Sequence, residues 1–151
     1  MSTVESQLCF ALYSTVHALG RVYAPVLAEL GLTYPQYLVM LVLWETDNLT
    51  VKGLGARLFL DSGTLTPLLK RLESAGLLDR TRDLADERQV RVRLTEMGRA
   101  MRGKSGAVTD HIGCAMGRSP QELATLRDDL LELRSTLMRE RPPVTTTPAV
   151  V

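Results

Sequence analysis

The sequence predicts a mainly α-helical protein that contains one β-hairpin. Apolar residues recur every three to four positions over most of the 151 residues, which is the period of amphipathic helices. Aromatic residues make up only 5% of the chain, so that Leu, Val, Ala and Met must fill the core, a composition that favours helices. In the segment 77–94 the period changes to two, which indicates a pair of strands.

The first two predicted helices are long and apolar. In the segment 8–30 the apolar side chains follow steps of three and four, and Gly31 ends this first helix. Thr33 and Pro35 then supply an N-cap and a first-turn proline for a second helix that runs through Trp44. Because the second helix is apolar on nearly every side, we expect it to be buried.

Two shorter helices follow a polar turn. Thr50 is expected to cap the first of them, and the second covers 62–75 and ends at Gly76. Pro67 is difficult to place, because a proline beyond the first turn removes a backbone donor. Either the first turn is irregular, or the regular helix begins with Thr66 as its cap and Pro67 as its first residue.

A hairpin and two long helices complete the predicted order of elements. The segments 77–82 and 89–94 are expected to pair, with a basic outer face. Thr95 then opens one long helix, which contains four glycines and therefore depends on tertiary packing. Its apolar side is expected to carry Met97, Met101, Val108 and Ile112.

Ser119 is expected to cap the last helix, together with Pro120 and Glu122. Its leucines recur at steps of three and four and form a stripe suited to packing against another helix, in the same chain or in a second one. The stripe consists of Leu123, Leu126, Leu130, Leu133 and Leu137.

The order of elements predicts a winged helix-turn-helix with long N- and C-terminal dimerisation helices and one β-hairpin wing. Residues 35–94 are expected to form the DNA-binding region, because a short helix, a tight turn, a second helix and a basic hairpin suit the grooves of duplex DNA. The alternative is that the helical hairpin and the strand pair are plain scaffold. Residues 1–34 and 95–141 are expected to form a helical dimerisation region. Residues 142–151 have no core to join and are predicted to be disordered.

Charge is segregated along the chain. The net charge is only +1, from 18 basic and 17 acidic side chains. The segment 61–104 nevertheless carries ten basic and seven acidic residues, whereas the segments on either side are each net negative by one. The positive charge is therefore concentrated on the predicted helix at 62–75 and on the hairpin. A protein that binds double-stranded DNA needs such a positively charged surface.

The sequence lacks the features of several classes of protein. The longest apolar run has eight residues, where about 20 are needed to cross a bilayer, and no signal-peptide pattern begins the chain. We therefore expect a cytoplasmic protein with no membrane partner. The two cysteines, Cys9 and Cys114, are too few for a disulfide scaffold or a zinc cluster, and His17 and His111 each stand alone. We expect neither a cofactor nor a metal ion.

Three blocks of sequence resemble the MarR family of winged-helix regulators. They are LTYPQYLVMLVLWE at 32–45, LFLDSGTLTPLLKRLE at 58–73, and Asp86-Glu87-Arg88 leading into Leu94-Thr95-Glu96. With QLCFALYS around Cys9, they resemble the organic hydroperoxide resistance regulator (OhrR) branch of the family. The resemblance covers about residues 5–140 and implies a transcriptional regulator, not an enzyme.

Candidate DNA-binding residues lie on the wing and on the predicted recognition helix. The resemblance implies that Arg88 enters the minor groove, whose negative potential suits an arginine, and that Asp86 orients its guanidinium. The alternative is that these two residues are an exposed turn pair of little consequence. On the helix, the groups suited to phosphates and base edges are Ser62, Thr64, Thr66 and Lys70, with Arg71 ambiguous.

The resemblance implies that Cys9 senses peroxide, that Tyr23 and Tyr34 hydrogen-bond to its sulfur, and that Cys114 of the other subunit resolves oxidised Cys9. Tyr23 lies 14 positions after Cys9 on the same predicted helix, about 21 Å away. Any contact between them must therefore join two subunits whose first helices run antiparallel. The alternative for each cysteine is a small packing residue.

We therefore predict a repressor that binds operator DNA as a homodimer and releases it when an organic hydroperoxide oxidises Cys9 to a disulfide with Cys114. Two alternatives stay open. In the first, a MarR-type repressor responds to a reversibly bound phenolic or apolar ligand, and both cysteines are incidental. In the second, the chain is a thiol peroxidase that uses Cys9 as its nucleophile, although no histidine or arginine constellation accompanies it.

Overall fold

The computed structural model describes residues 3–139, and over these residues the mainly α-helical fold class is confirmed. The predicted tail at 142–151 and residues 140–141 lie outside the described residues. Short 3-10 turns occur at Val4–Ser6 and Arg102–Lys104. In chain order the other elements are α1 (Leu8–Ala28), α2 (Tyr34–Glu45), β1 (Leu49–Thr50), α3 (Val51–Leu58), α4 (Ser62–Ser74), β2 (Leu78–Arg82), β3 (Val90–Leu94), α5 (Glu96–Met101), α6 (Ser105–Met116) and α7 (Pro120–Arg139).

The chain divides into two compact units, Met1–Ala115 and Met116–Val151. The first unit contains the sheet, α1 to α5 and nearly all of α6, and the second contains α7. No helix among residues 3–139 is long and apolar enough to span a membrane. The same residues contain no cluster of three or more His, Cys, Asp or Glu side chains placed to hold a metal ion.

Helix α2 lies at the centre of the hydrophobic core of the first unit, as its apolar sequence predicts. It begins with a capping box in which the Gln36 side chain accepts a hydrogen bond from the Thr33 N–H at 2.8 Å. The Trp44 indole N–H donates to the Gly98 carbonyl at 2.8 Å and so joins α2 to α5. A Cβ at Gly98 would lie 2.0 Å from the Leu77 carbonyl oxygen, so this close approach requires glycine.

A tight turn joins α3 to α4. The Thr50 hydroxyl caps α3 by accepting from the Gly53 N–H at 3.0 Å, as predicted. Phe59, which follows α3, adopts the left-handed conformation with φ at 56°. A Cβ at Gly55 would lie 2.7 Å from the Leu60 carbonyl oxygen, so glycine lets the turn close against α3.

Helix α4 begins at Ser62 with Asp61 as its cap, and Pro67 lies inside it. The alternative start, with Thr66 as the cap, is wrong. Pro67 leaves the Gly63 carbonyl without its helical partner. Gly63 is exposed, so water can satisfy that carbonyl, and the well-capped first turn tolerates the proline.

The three strands form one antiparallel sheet in the order β1, β3, β2. β2 and β3 pair from Leu78 opposite Leu94 to Arg82 opposite Val90, which is the predicted hairpin. β1 adds a third strand that the sequence does not reveal, because two residues are too few to show a period. This strand attaches the wing to the start of α3.

The predicted single helix after the hairpin is interrupted. Thr95 caps α5 as predicted, but a 3-10 turn at Arg102–Lys104 separates α5 from α6. The glycines of this segment lower its helix propensity, so the continuity of the helix depends on the packing around it. Val108 and Ile112 are buried as expected, whereas Met97 is 53% exposed, so the predicted apolar side is wrong at Met97.

Helix α7 begins with the predicted capping box. The Glu122 carboxylate accepts from the Ser119 N–H at 2.9 Å, and this hydrogen bond is the main reason that the pKa of Glu122 is lowered. None of its residues from Pro120 to Arg139 is buried in the single chain. The leucine stripe therefore leaves an apolar surface available for another helix.

Candidate nucleic-acid interface and cysteine site

A groove of about 600 Å³ lies between the helix-turn-helix and the wing. It brings together side chains from α3, α4 and the hairpin that are far apart in sequence. Among the predicted site residues, Ser62, Thr66 and Arg88 line it. Lys52 and Arg80 also line it, and the sequence does not single them out, because each is one more basic residue on a basic surface.

The predicted recognition helix, α4, presents its polar residues to solvent. Ser62, Thr64, Thr66, Lys70 and Arg71 are all exposed. Residues four apart lie along one side of a helix, so Ser62, Thr66 and Lys70 form a continuous polar line. The opposite side is held in the core by Leu65, Leu69 and Leu72.

Two hydroxyls of α4 already have partners. The Thr64 hydroxyl donates to the Asp61 carboxylate at 3.3 Å, and the Thr66 hydroxyl donates to the Ser62 carbonyl at 2.6 Å. The Thr64 N–H, at 2.8 Å, is the main cause of the lowered pKa of Asp61, so this cap stays ionised. Both hydroxyl oxygens keep lone pairs that can accept a hydrogen bond from a base edge.

Asp83 holds in place the loop between β2 and β3, which we call the wing loop. Its carboxylate accepts from the N–H groups of Ala85 at 2.7 Å and Asp86 at 3.2 Å, and it forms an ion pair with Arg91. These hydrogen bonds, above all the one from Ala85, lower the pKa of Asp83. Arg91 also donates to the Asn48 carbonyl at 2.9 Å, which ties the wing to the turn before α3.

Arg88 projects from this loop into the groove. Asp86 accepts from the Arg88 backbone N–H at 3.1 Å and from the Gln89 side-chain amide at 3.2 Å. Among residues 3–139, the Arg88 guanidinium takes part in no ion pair. In the free chain, Asp86 therefore shapes the loop backbone instead of holding the guanidinium as the resemblance implied.

A second ion pair attaches the wing to the recognition helix. The Arg80 guanidinium of β2 donates to the Glu73 carboxylate of α4 at 2.6 and 2.9 Å. This contact is the main cause of the lowered pKa of Glu73. Arg80 lines the groove, but its charge is partly neutralised by Glu73. Among the described residues, the cations of the groove that have no ion pair are therefore Lys52 and Arg88.

Cys9 is the second residue of α1 and is exposed, and Cys114 is exposed near the end of α6. In the single chain neither is a buried packing residue. The side chains of Leu8, Tyr13 and Val16 beside Cys9 are 61 to 65% exposed. Exposed apolar surface of this kind is typical of sites at which proteins bind other molecules.

The two predicted sensor tyrosines lie together. Tyr23 of α1 and Tyr34 of α2 have ring centroids 4.5 Å apart. The ring centroid of Tyr37 lies 6.3 Å from that of Tyr23. From the sequence, Tyr37 is only one residue of the buried second helix. Burial is the main cause that raises the pKa of all three tyrosines, so they stay neutral hydrogen-bond donors.

The structure does not bring Cys9 and Tyr23 together within one chain. Both belong to the uninterrupted helix α1, and 14 residues span about 21 Å. They nevertheless lie on the same side of α1, because 14 residues fall only about 40° short of four full turns. Two antiparallel α1 helices can therefore place Cys9 of each chain beside Tyr23 of the other.

Comparison with known proteins gives a consistent group of relatives. A family profile described as transcriptional regulator SarA/Rot matches residues 21–103. The HTH-type transcriptional regulator TtmR of Methylorubrum extorquens is 53% identical over 135 residues, which is 89% of this chain and 69% of TtmR. The organic hydroperoxide resistance transcriptional regulator of Bacillus subtilis is 46% identical over 134 residues, which is 89% of this chain and 86% of that protein.

Solved structures of AbfR, a protein of Staphylococcus epidermidis, share the fold. The structure of reduced AbfR bound to DNA is 35% identical, with a TM-score of 0.73, and the match covers 91% of this chain and 96% of AbfR. The disulfide-formed structure of AbfR is 38% identical, with a TM-score of 0.62, over 86% of this chain and 91% of AbfR. The similarity thus extends over almost the whole described chain.

Proposed function

The chain belongs to the MarR and SarA/Rot family of winged-helix transcriptional regulators, and on this premise we propose that it is a repressor released from operator DNA when an organic hydroperoxide oxidises Cys9. The identity with the Bacillus subtilis regulator supports the OhrR branch. The contact between Tyr23 and Tyr34, on the side of α1 that also carries exposed Cys9, is the observation that carries the proposal.

The first chemical step is oxidation of the Cys9 thiolate. The sulfur attacks the terminal oxygen of the hydroperoxide, an S–O bond forms and the O–O bond breaks, and the leaving alkoxide takes a proton to become an alcohol. Tyr23 and Tyr34 are neutral O–H donors, and their hydrogen bonds to the sulfur favour the reactive thiolate.

The sensor is assembled by two subunits. Members of this family are dimers, and antiparallel α1 helices place Cys9 of one subunit at the tyrosine pair of the other. The two-fold axis passes near Val16, halfway between Cys9 and Tyr23, and Val16 is 65% exposed in the single chain. The leucine stripe of α7 supplies a second apolar surface for the same dimer.

The second step converts oxidation into release of DNA. The Cys114 thiol of the other subunit attacks the sulfenic sulfur of Cys9, and a disulfide forms as water leaves. The bond pulls the start of α1 and rotates the two DNA-reading regions away from the half-site spacing of about 34–36 Å. Structures of AbfR are described as reduced and overoxidized with DNA and as disulfide-formed, which supports a redox switch in this group.

Two experiments test the proposal directly. Sedimentation of the reduced 16.7 kDa chain should give a dimer at micromolar concentration, and a monomer would contradict the shared sensor.

Stoichiometric cumene hydroperoxide should produce a band of twice the monomer mass on a non-reducing gel and release DNA, both reversed by dithiothreitol. Release without a change in thiol content would favour a reversible ligand, and sustained turnover with excess thiol would indicate a peroxidase.

Lys70→Ala should lower the slope of log affinity for DNA against log salt concentration by about one unit. Lys70 is exposed on α4 and, within the described residues, has no ion pair that competes with a phosphate. The measurement is a titration at several salt concentrations. Lys104→Ala, which removes the same charge from the turn between α5 and α6 instead of from α4, is the control and should keep the parental slope.

A further inference from the structure

The three basic side chains of the groove, Lys52, Arg80 and Arg88, are not equivalent. Within the described residues, Arg80 is the one of the three that forms an ion pair, and its partner is Glu73 of α4. None of the described residues that line the groove is acidic, so Glu73 reaches the groove only through Arg80. The function proposed above gives no role to Glu73.

Glu73 occupies the hydrogen-bonding fork of Arg80. One oxygen of its carboxylate accepts from the Nε–H at 2.9 Å and from an Nη2–H at 2.6 Å. The other oxygen accepts from the backbone N–H of Arg80 at 3.2 Å. The Nε–H and Nη2–H groups form the fork with which an arginine binds a carboxylate or a phosphate. A DNA phosphate cannot use this fork while Glu73 is bound to it.

The rest of the Arg80 guanidinium is a weaker site for a phosphate. A guanidinium has five N–H bonds, so three remain outside the contact with Glu73. A phosphate bound to these three lies near the Glu73 carboxylate, whose negative charge repels it. The side chains of Arg80 and Glu73 are 27% and 35% exposed, so the backbone of a DNA molecule in the groove can approach the pair.

We propose that Glu73 withholds Arg80 from the DNA backbone and so lowers the affinity of the chain for DNA of any sequence. The carboxylate takes the place that a phosphate would otherwise occupy. This inference rests on the proposed function, which places duplex DNA in the groove. With one phosphate contact fewer, a larger share of the binding depends on Arg88 and the polar line of α4, which lose their register when the repressor is oxidised.

Two variants separate the charge of this pair from its role as an attachment of the wing to α4. Glu73→Gln removes the negative charge but keeps an amide oxygen that can accept from the Arg80 N–H groups. Adding Arg80→Gln then removes the freed cation and returns the net charge to the parental value, and two amide side chains can still bond to each other. Both variants should therefore keep the wing attached.

The test measures the affinity of the reduced full chain for a random-sequence duplex by fluorescence anisotropy, between 50 and 200 mM salt. We expect Glu73→Gln to bind more tightly at 50 mM salt and to steepen the slope of log affinity against log salt concentration by about 0.9 unit, the effect of one added phosphate contact. Over this range its affinity should fall about three- to fourfold more than that of the parent. The double variant should return to the parental slope.

Glu45→Gln is the matched control. It breaks the ion pair between Glu45 of α2 and Arg57 of α3, and so also frees one arginine by removing one carboxylate. Arg57 does not line the groove, so this variant should keep the parental slope.

Several outcomes overturn the inference. A parental slope for Glu73→Gln contradicts it, and so does a steeper slope that persists in the double variant, since Arg80 would then not be the cause. An equal change in Glu45→Gln also contradicts it. Weaker binding by Glu73→Gln at every salt concentration would show that the pair only attaches the wing.

These results leave the proposed function intact, because the parent chain still binds DNA and responds to peroxide. If the parent binds neither the random-sequence duplex nor a duplex selected from a random pool, the proposed function fails, and the inference fails with it.

Discussion

Cys9→Ser is expected to bind operator DNA as tightly as the parent chain and to stay bound in excess organic hydroperoxide. Serine preserves the size and polarity of an exposed side chain in the first turn of α1, so the fold and the dimer should not change. A hydroxyl cannot form a sulfenic acid or a disulfide, so the entire response is lost. Fluorescence anisotropy of a labelled operator duplex, titrated with cumene hydroperoxide, measures the effect.

Cys114→Ser is the matched variant for the second step. It should still form sulfenic acid at Cys9 but give no doubled band, and Cys9 should then proceed to sulfinic or sulfonic forms that dithiothreitol does not reverse. Peroxide-induced release by the Cys9→Ser variant would contradict the sensor assignment. Release by the parent without the doubled band would contradict only the role of Cys114.

Most of the helical architecture could be predicted because its signals are local. Thr33, Thr50 and Ser119 each start a helix where the sequence places them, since a cap satisfies backbone N–H groups within three residues of itself. Elements whose bounds depend on residues far away in the sequence were missed or predicted wrongly. The strand β1 exists because β3 has a free edge beside it, and the break at Arg102–Lys104 appears only where the packing of α5 and α6 is known.

The candidate site was predictable to a smaller extent. The exposed line on α4 follows from helical spacing, and Arg88 follows from its place in the wing. Asp83 and Arg91, which hold the wing loop, resemble ordinary surface charges in sequence, because their pairing depends on the fold of the loop between β2 and β3. Tyr37 has the spacing of a core residue, and periodicity carries no information about its place beside the ring of Tyr23 on another helix.

Arg88→Ala is expected to weaken operator binding by about 1–3 kcal/mol, or roughly 5- to 150-fold. The wing loop should keep its shape, because Asp83 and the Arg88 backbone N–H hold it through contacts that the substitution leaves in place. The change therefore removes a guanidinium that lines the groove and has no ion partner among residues 3–139. The measurement uses a duplex that the parent chain selects from a random-sequence pool.

Arg93→Ala provides the control, because Arg93 is an exposed arginine of the same hairpin that lies outside the groove. Both variants lose one positive charge, so both should lose a similar, modest part of non-specific affinity. Only Arg88→Ala should also lower the ratio of specific to non-specific binding, since an arginine in a narrow minor groove reads its sequence-dependent width. Equal ratios in the two variants would show that Arg88 contributes charge alone, and the assignment of the wing as a minor-groove reader would then be wrong.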